Sequence, residues 1–353
     1  EALADAADAV LEAALVRARN NIAGHEQVKL AIIAMGKCGA RELNYISDVD
    51  VIFVAEPVQG ADEVGALAVA TRLATAVMNA CSEATSEGTI WEVDAALRPE
   101  GKNGALVRTL ASHAAYYQRF ASTWEFQALL KARHAAGDEH LGAAYTQTME
   151  QFIWSAAGRD DFVENARAMR RKVEEHIPAK EAAREIKLGV GGLRDVEFSV
   201  QLLQLVHGRS DVMLRKPGTL TALAGLAEWG YVGRDDAATL STAYRFMRTL
   251  EHRIQVHRMR RTHVLPDDEA DLRRFGRSLG FLQDPGDALV AKFRQTQLET
   301  RRIHEKLFYR PLLDAVSRLT PGDARLTPEA AGQRLEALGY SEPEGALRHI
   351  EAI

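Results

Sequence analysis

The stretch "MGKCGARELNYISDVDVIFV", residues 35–54, places a glycine-rich turn and two aspartates ahead of an apolar run. Continuous apolar residues at 28–35 and again at 47–57 predict two strands that are buried on both faces. Asp48 and Asp50 open the second of these strands. Carboxylates in the core cost free energy unless a cation compensates them, so the pair is expected to hold something positively charged.

The spacing of these acids predicts a metal site. Side chains alternate along a strand, so Asp48 and Asp50 share one face, with Cα atoms roughly 6.6 Å apart. The run "GTIWEVDAALRPEG" (88–101) predicts a third strand on which Asp94 and Arg98 also share a face. If this strand is the neighbour of the second, Asp94 completes a triad of carboxylates, the ligands that hard divalent cations prefer.

The glycine turn fits chemistry on a phosphate. Gly36 and Gly39 allow the backbone to approach an anion closely, and Lys37 adds a positive charge. An isolated Asp-x-Asp pair is often no more than two solvated acids. Combined with the preceding strand, the turn and a later acid, it indicates nucleotidyl transfer, in which metal ions hold a nucleoside phosphate.

Composition narrows the class of protein. The formal net charge of -5 over 353 residues lacks the basic surplus of a nucleic-acid-binding protein, so no nucleic acid partner is expected. The sequence predicts no membrane span and no signal peptide, and its two cysteines form no disulfide framework, which favours the reducing cytoplasm. The chain does not begin with methionine, which suggests a piece of a longer protein.

The pattern changes from mixed α/β in the first hundred residues to helical beyond them. Ser122 and Glu125 form a capping-box pattern at a helix start. A glycine turn at 184–198 interrupts the helical pattern, and 318–332 is predicted to be a Pro/Gly linker. Amphipathic spacing predicts helices at 61–82, 160–176, 194–207, 218–229, 235–259, 269–280 and 284–309.

Four motifs in order resemble one family. They are similar to the bifunctional glutamine synthetase adenylyltransferase/adenylyl-removing enzymes, which resemble DNA polymerase β in their nucleotidyltransferase domains. The resemblance runs to about residue 313, and its motifs are "AMGKCGARELNYISDVDVIF" (34–53), "WEVDAALRPEGKNGALV" (91–107), "TWEFQALLKAR" (123–133) and "IKLGVGGLRDVEF" (186–198).

The resemblance implies an α+β fold: a polymerase β-like nucleotidyltransferase domain, with a small mixed sheet and helices, followed by an all-α helical bundle. The implied layout is an N-terminal helix at 1–27, the nucleotidyltransferase domain at 28–140, the helical bundle at 141–315, and a linker with the start of a truncated next region at 316–353.

The resemblance also implies the chemistry. Asp48, Asp50 and Asp94 would be the catalytic acids and the ligands of Mg²⁺, or of Mn²⁺ in its place, with ADP or ATP and phosphate as substrates or products. The superfamily's usual Gly-Ser at the turn is Gly36-Lys37 here, which removes a hydroxyl contact to phosphate. Glutamine synthetase is the implied protein substrate, and the PII signal protein is a further partner of the full-length enzymes.

Other residues are candidates for binding the nucleotide or phosphate. The alternative for each cation is a solvated surface charge, and the acids Asp195 and Glu197 could simply favour the dipole of a helix start. The candidates are Gly36, Lys37, Gly39, Ser47, Arg98, Lys102, Lys131, Arg133, Lys187, Arg194 and Glu197.

Three functions remain open. Family members carry two similar halves, one that attaches AMP to a tyrosine of glutamine synthetase and one that removes it by phosphorolysis, regulating nitrogen assimilation. Val190 and Arg194 favour the removing half, since the attaching half tends to have an acid and a threonine in that turn. ATP-dependent attachment is the first alternative, and a non-catalytic nucleotide-sensing module that docks the synthetase is the second.

Overall fold

The computed structural model describes residues 1–309, 328–337 and 342–344. The chain forms two compact units, Glu1–Ala156 and Ala157–Ile353. The first is mixed α/β, and the second is almost wholly helical where it is described. This order confirms the predicted α+β fold class.

A small mixed sheet forms the centre of the first unit. Among the described residues it has five strands in the order β3-β2-β1-β5, with β4 paired to β2. The central strand β1 is antiparallel to β2 and β5, while β3 and β4 are parallel to β2. The strands are β1 Val28–Ala34, β2 Val49–Pro57, β3 Val93–Asp94, β4 Val107–Arg108 and β5 Arg133–Gly137.

Helices cover both faces of the central strands. The first unit contains α1 (Ala2–Asn21), α2 (Gly36–Gly39), α3 (Glu63–Ser82), α4 (Leu110–Arg119), α5 (Thr123–Leu129) and α6 (Glu139–Ser155). Ile32 and Phe53 join a core cluster with residues of α1 and α3. The alternate residues Ile33 and Ile52 are fully buried too, and α6 contacts both strands. Each such side chain contributes about 1.5–3 kcal/mol by burial, which explains why both faces of the central strands carry apolar residues.

The first helix belongs to this core. Leu11 and Leu15 of α1 are buried in the core cluster. Two side chains also fasten α1 to β5: Arg133 donates to both Asp8 oxygens at 2.7 and 2.9 Å, and Glu12 accepts from the Gly137 amide at 2.6 Å.

The third predicted strand is much shorter than expected. Of residues 88–101, only Val93 and Asp94 pair with β2. Beyond them the chain turns, because the Asp94 carboxylate accepts the Ala96 amide at 2.8 Å and the Arg98 guanidinium binds backbone carbonyls of the following loop. These local hydrogen bonds replace the ladder that a longer strand would need.

The predicted change to helices after residue 100 is also wrong in part. β4 and β5 lie in that region. The sequence of β5, "RHAAG", has no alternating pattern, and its pairing with β1 is a contact between residues about a hundred positions apart. The predicted capping box of Ser122 and Glu125 is confirmed at the start of α5.

The predicted helices agree with the structure to within two residues at each end. In the second unit they are α7 Phe162–Glu175, α8 Leu193–His207, α9 Thr219–Glu228, α10 Arg234–Arg258, α11 Glu269–Ser278 and α12 Pro285–Phe308. A further helix, α13 Pro328–Ala337, begins within the predicted linker. Residues 328–332 of that linker are thus helical, with Pro328 at the first helical position, where its missing N–H costs nothing. Residues 318–327 lie outside the described part of the chain.

The predicted domain limits stay a prediction. The two compact units divide after Ala156. The predicted boundary between residues 140 and 141 falls inside α6. The predicted boundary between residues 315 and 316 lies outside the described residues.

Within the described residues, α3 has the length and apolar composition that a membrane span requires. In this fold Leu73, Val77 and Cys81 of α3 are buried in the core cluster. The helix contacts α1 and the strands β1 and β2, so the apolar face serves core packing.

One buried histidine makes the first unit sensitive to acid. His113 of α4 is 1% exposed, and its ring meets the Tyr145 ring edge-on with centroids 5.3 Å apart. Burial lowers the pKa of His113 from 6.5 to about 3. Between these values the unfolded chain binds a proton that the folded chain does not, so stability rises with pH across this window and is lost on acidification.

We therefore expect His113→Phe to weaken the acid sensitivity. The free energy of unfolding in urea, measured near pH 7.5 and near pH 5, should differ by about 2 kcal/mol less in the variant than in the parent chain. The exposed His140 of α6 provides the control, since His140→Gln should keep the parental difference. A His113→Phe chain with the parental difference would contradict the assignment.

Candidate active site

Three carboxylates meet at the edge where β2 and β3 pair. Asp50 lies opposite Asp94 in the parallel register, and Asp48 precedes β2 by one residue. One oxygen from each of the three side chains lies within 4.8 Å of the others, and all three residues are half-buried. The structure thus brings together the acids that the sequence singled out, although β3 is only two residues long.

Backbone hydrogen bonds fix this arrangement. The Val49 amide donates to the Glu92 carbonyl at 2.8 Å, which extends the pairing of β2 and β3 by one bond. The Asp94 carboxylate is oriented by the Ala96 amide. The Ser47 hydroxyl donates to the Asp48 carbonyl at 3.0 Å, so Ser47 has a role in holding the turn before β2.

The donor set fits a hard divalent cation. Two ionised carboxylates within 4.8 Å of each other repel by at least roughly 3 kcal/mol at an effective dielectric constant of about 20. A divalent cation among the three would replace this repulsion with attraction. Three carboxylates leave room in an octahedral shell for water or phosphate oxygens, as Mg²⁺ requires.

Gly36 lies so close to Asp50 that a side chain on it would collide with the Asp50 carboxylate. It adopts φ +53°, and a Cβ built on it would lie 2.2 Å from Asp50 Oδ2. The Met35 amide donates to the Asp50 carbonyl at 2.8 Å, which holds the turn against β2. The absent side chain therefore makes room for a carboxylate of the triad.

Gly39 allows a close approach of backbone to backbone. A Cβ on Gly39 would lie 1.9 Å from the Lys131 carbonyl oxygen. The Arg133 guanidinium donates to the carbonyls of Cys38 and Gly39 at 3.3 and 3.4 Å. Burial raises the pKa of the Cys38 thiol to about 12, so this cysteine is a neutral packing residue.

Arg98, Lys131 and Arg133, predicted to bind phosphate, contact the protein itself. Arg98 donates to the carbonyls of Ala95, Lys102 and Gly104. Lys131 is 7% exposed in its side chain and lies 3.6 Å from Glu42, and Arg133 binds Asp8 in α1.

The negative charge of Asp94, one of the three acids, acts on the Arg98 guanidinium. Burial lowers the pKa of the Arg98 guanidinium, and the negative charge of Asp94 opposes that effect. Lys37 follows Gly36 in α2, and Lys102 is exposed on the short 3-10 turn Gly101–Asn103. Phosphate contact by any of these cations stays a prediction.

The remaining candidates lie in the second unit. Arg194 donates to Glu197 at 2.9 Å, and the Tyr244 hydroxyl donates to the other Glu197 oxygen at 3.3 Å. Glu197 is 2% exposed, so it is a buried, hydrogen-bonded carboxylate and not a solvated acid at a helix start. Whether Lys187, Arg194 or Glu197 binds a nucleotide stays a prediction.

The sequence reasoning missed a buried ion pair, Arg170 with Asp195. The sequence of α8 does not signal this pair, because Asp195, Glu197, Ser199, Gln201 and Gln204 make the helix look half polar, whereas the structure buries every residue from 195 to 206. An acid in such a helix requires a buried partner. Arg170 in turn follows Val163 and Ala166 on the buried face of α7, at helical spacing.

We expect Gly36→Ala to disrupt the triad. The added methyl group would displace the Asp50 carboxylate and should weaken Mn²⁺ binding about tenfold or more, as measured by calorimetric titration. Gly60→Ala is the matched control, because Gly60 also has a positive φ but open space around it. The control should cost about 1 kcal/mol of stability and leave Mn²⁺ affinity unchanged. Equal affinities in both variants would show that Gly36 does not serve the triad.

Known protein families match two parts of the chain. Residues 1–148 match the family model described as glutamate-ammonia ligase adenylyltransferase, and residues 167–308 match the model described as GlnD PII-uridylyltransferase. Relatives from Streptomyces avermitilis, Streptomyces coelicolor and Mycolicibacterium smegmatis are 62%, 60% and 52% identical. Each alignment covers 99% of this chain and 35%, 36% and 35% of the respective relative.

The chain therefore spans about a third of the length of the curated relatives it matches. All three are named bifunctional glutamine synthetase adenylyltransferase/adenylyl-removing enzyme. With its acidic triad, its glycine turn and this identity over nearly every residue, the chain is similar to one part of those enzymes.

Proposed function

We propose that the chain removes AMP from an adenylylated tyrosine of glutamine synthetase by phosphorolysis. An oxygen of inorganic phosphate forms a new bond to the AMP phosphorus, and the bond from that phosphorus to the tyrosine oxygen breaks, which yields ADP and free tyrosine. The observation that carries the proposal is the clustering of Asp48, Asp50 and Asp94 within 4.8 Å, beside the turn at Gly36.

The reaction brings two anions together, so positive charge is its main requirement. A divalent cation, Mg²⁺ or Mn²⁺, held by the three carboxylates would offset the charge of the phosphate groups. Lys37 follows the turn directly and Lys102 is exposed on the loop that Arg98 shapes. We assign these two lysines to the phosphate oxygens and Arg98 to holding the loop.

The direction of the reaction is supported by the turn at the start of α8. Val190 and Arg194 resemble the adenylyl-removing half of the family, where the attaching half tends to have an acid and a threonine. Attachment of AMP from ATP would use the same carboxylates, so direct assay separates the two directions. Both cysteines are free and buried, which fits work in the reducing cytoplasm and the regulation of nitrogen assimilation there.

The decisive assay supplies adenylylated glutamine synthetase, Mg²⁺ and labelled inorganic phosphate. Labelled ADP that forms only when phosphate is present establishes removal. AMP incorporation from ATP into unmodified synthetase, without phosphate-dependent ADP release, would establish attachment instead. Binding of the synthetase with neither reaction would identify a docking module.

We expect Asp50→Asn to lower turnover by a factor of about a hundred or more, because one ligand of the cation and one charge are lost. The fold should be retained, as judged by circular dichroism and thermal unfolding. Asp62→Asn is the control, since Asp62 is an exposed acid whose role is to cap α3, which asparagine also does. Full turnover by the Asp50→Asn chain would refute the assignment of the metal site.

A further inference from the structure

The second unit contains a network of charged side chains drawn from three helices. Arg170 of α7 and Asp195 of α8 are both fully buried, with Nε and Oδ1 2.6 Å apart. Glu174 lies 3.2 Å from Arg170 and 2.7 Å from Arg301 of α12. Arg301 is also paired with Glu305 at 2.7 Å. A buried ion pair is seldom more stabilising than apolar side chains of the same size. Its presence calls for a reason other than stability.

Both members of the buried pair also hold the glycine turn that precedes α8. The second Asp195 oxygen accepts the Gly191 amide at 2.7 Å. Arg170 donates to the Gly189 carbonyl at 3.2 Å. The pair therefore acts as a clamp, which we define as Arg170 and Asp195 together with these two bonds to the turn.

The glycines of the turn are needed for close packing within the protein. Gly191 has φ +73°, and a Cβ on it would lie 2.0 Å from the Gln297 carbonyl oxygen in α12. A Cβ on Gly189 would lie 2.4 Å from the Glu185 carbonyl oxygen. The turn can therefore adopt this shape only with glycine at both places.

The amides of the turn are largely used inside it. The Glu185 carboxylate accepts the amides of Lys187 and Leu188 at 2.9 and 3.1 Å. The amides of Leu193 and Arg194 donate to the carbonyls of Ile186 and Lys187. In a glycine loop that cradles phosphate these groups would point at the ligand. Here they define one backbone conformation.

A second contact ties the same helix start to α12. The Ser199 hydroxyl donates to the Asp195 carbonyl at 2.8 Å and lies 2.8 Å from His304 Nδ1. The His304 ring stacks on Phe308 with centroids 4.6 Å apart. The first turn of α8 is thus fixed from both sides.

We propose that Arg170 and Asp195 are positioning residues for the AMP-transfer reaction, holding the segment 185–193 in the single conformation that turnover requires. The inference rests on the proposed function. A costly buried charge pair that shapes a surface turn, with the side chain of Val190 48% exposed at its tip, is what a pre-organised functional loop needs. Neither Arg170 nor Asp195 has to touch substrate.

The test is Asp195→Asn in the 353-residue chain. Hydrogen–deuterium exchange of the peptide that spans 186–195, followed by mass spectrometry without substrate, should become at least about tenfold faster. KM for phosphate should rise by the factor by which the competent conformation is depleted. A merely structural role would lower the amount of folded enzyme and hence kcat, and would leave KM unchanged.

Two further variants make the result specific. Asp271→Asn removes a buried carboxylate that is bonded to Arg258, so it repeats the charge change in the same unit away from the turn. It should change neither the exchange of 186–195 nor KM. Arg170→Lys keeps the positive charge but loses the planar fork that reaches Gly189. It should also give faster exchange of 186–195 and a higher KM, and it replaces Asp195→Asn as the test if the Asp195→Asn chain does not fold.

Parental exchange of 186–195 in both clamp variants would overturn the inference. Faster exchange with a parental KM would overturn it as well, because the turn would then be loosened without consequence for the reaction. A parent chain that lacks both phosphorolysis and AMP transfer would refute the proposed function, and with it the positioning role. The exchange data would still establish whether the clamp holds the turn.

Discussion

Mutual repulsion among Asp48, Asp50 and Asp94 is the constraint on which the rest of the first unit depends. The three side chains are held by strand pairing between β2 and a β3 of only two residues. So short a pairing has little stability of its own. The free energy that keeps the acids together therefore comes from the apolar core around β1 and β2, which α1 and α3 cover on one face.

The two glycine turns of the chain look alike in sequence and differ in use. At Gly36 the absent side chain makes room for an acid of the candidate site, so the turn forms part of that site's wall. At Gly191 the absent side chain makes room for the backbone of α12, so the turn packs against that helix while its tip stays exposed. Glycines in a turn indicate that another group approaches the backbone closely. The structure is needed to identify that group.

Much of this architecture is local and could be read from the sequence. The runs that became β1 and β2, the helical spacing of α7 to α12 and the acids of the triad all depend on residues close together in the chain. β5 could not be read in this way, because its stability lies in pairing with β1 rather than in its own composition. The face shared by Asp94 and Arg98 was lost for a related reason, since local hydrogen bonds end the strand at Asp94.

The cations show where such reasoning ends. Lys131, Arg133 and Arg98 carry the right charge for a phosphate, and no sequence pattern shows that Glu42, Asp8 and a set of carbonyls are their partners in the fold. Asp195 is a similar case. Its helix contains several polar residues, so only the structure shows that Asp195 is fully buried and paired with Arg170.

Arg133 joins parts of the chain that are remote in sequence. Its guanidinium serves acceptors in α1, at the end of α2 and in β5: Asp8, the carbonyls of Cys38 and Gly39, and the carbonyl of His134. A lysine would present one ammonium in place of the planar fork and could not reach all of these. Asp8 and Arg133 are therefore expected to vary together among related chains, and a shortened chain that begins after α1 would leave the turn beside the triad without one of its anchors.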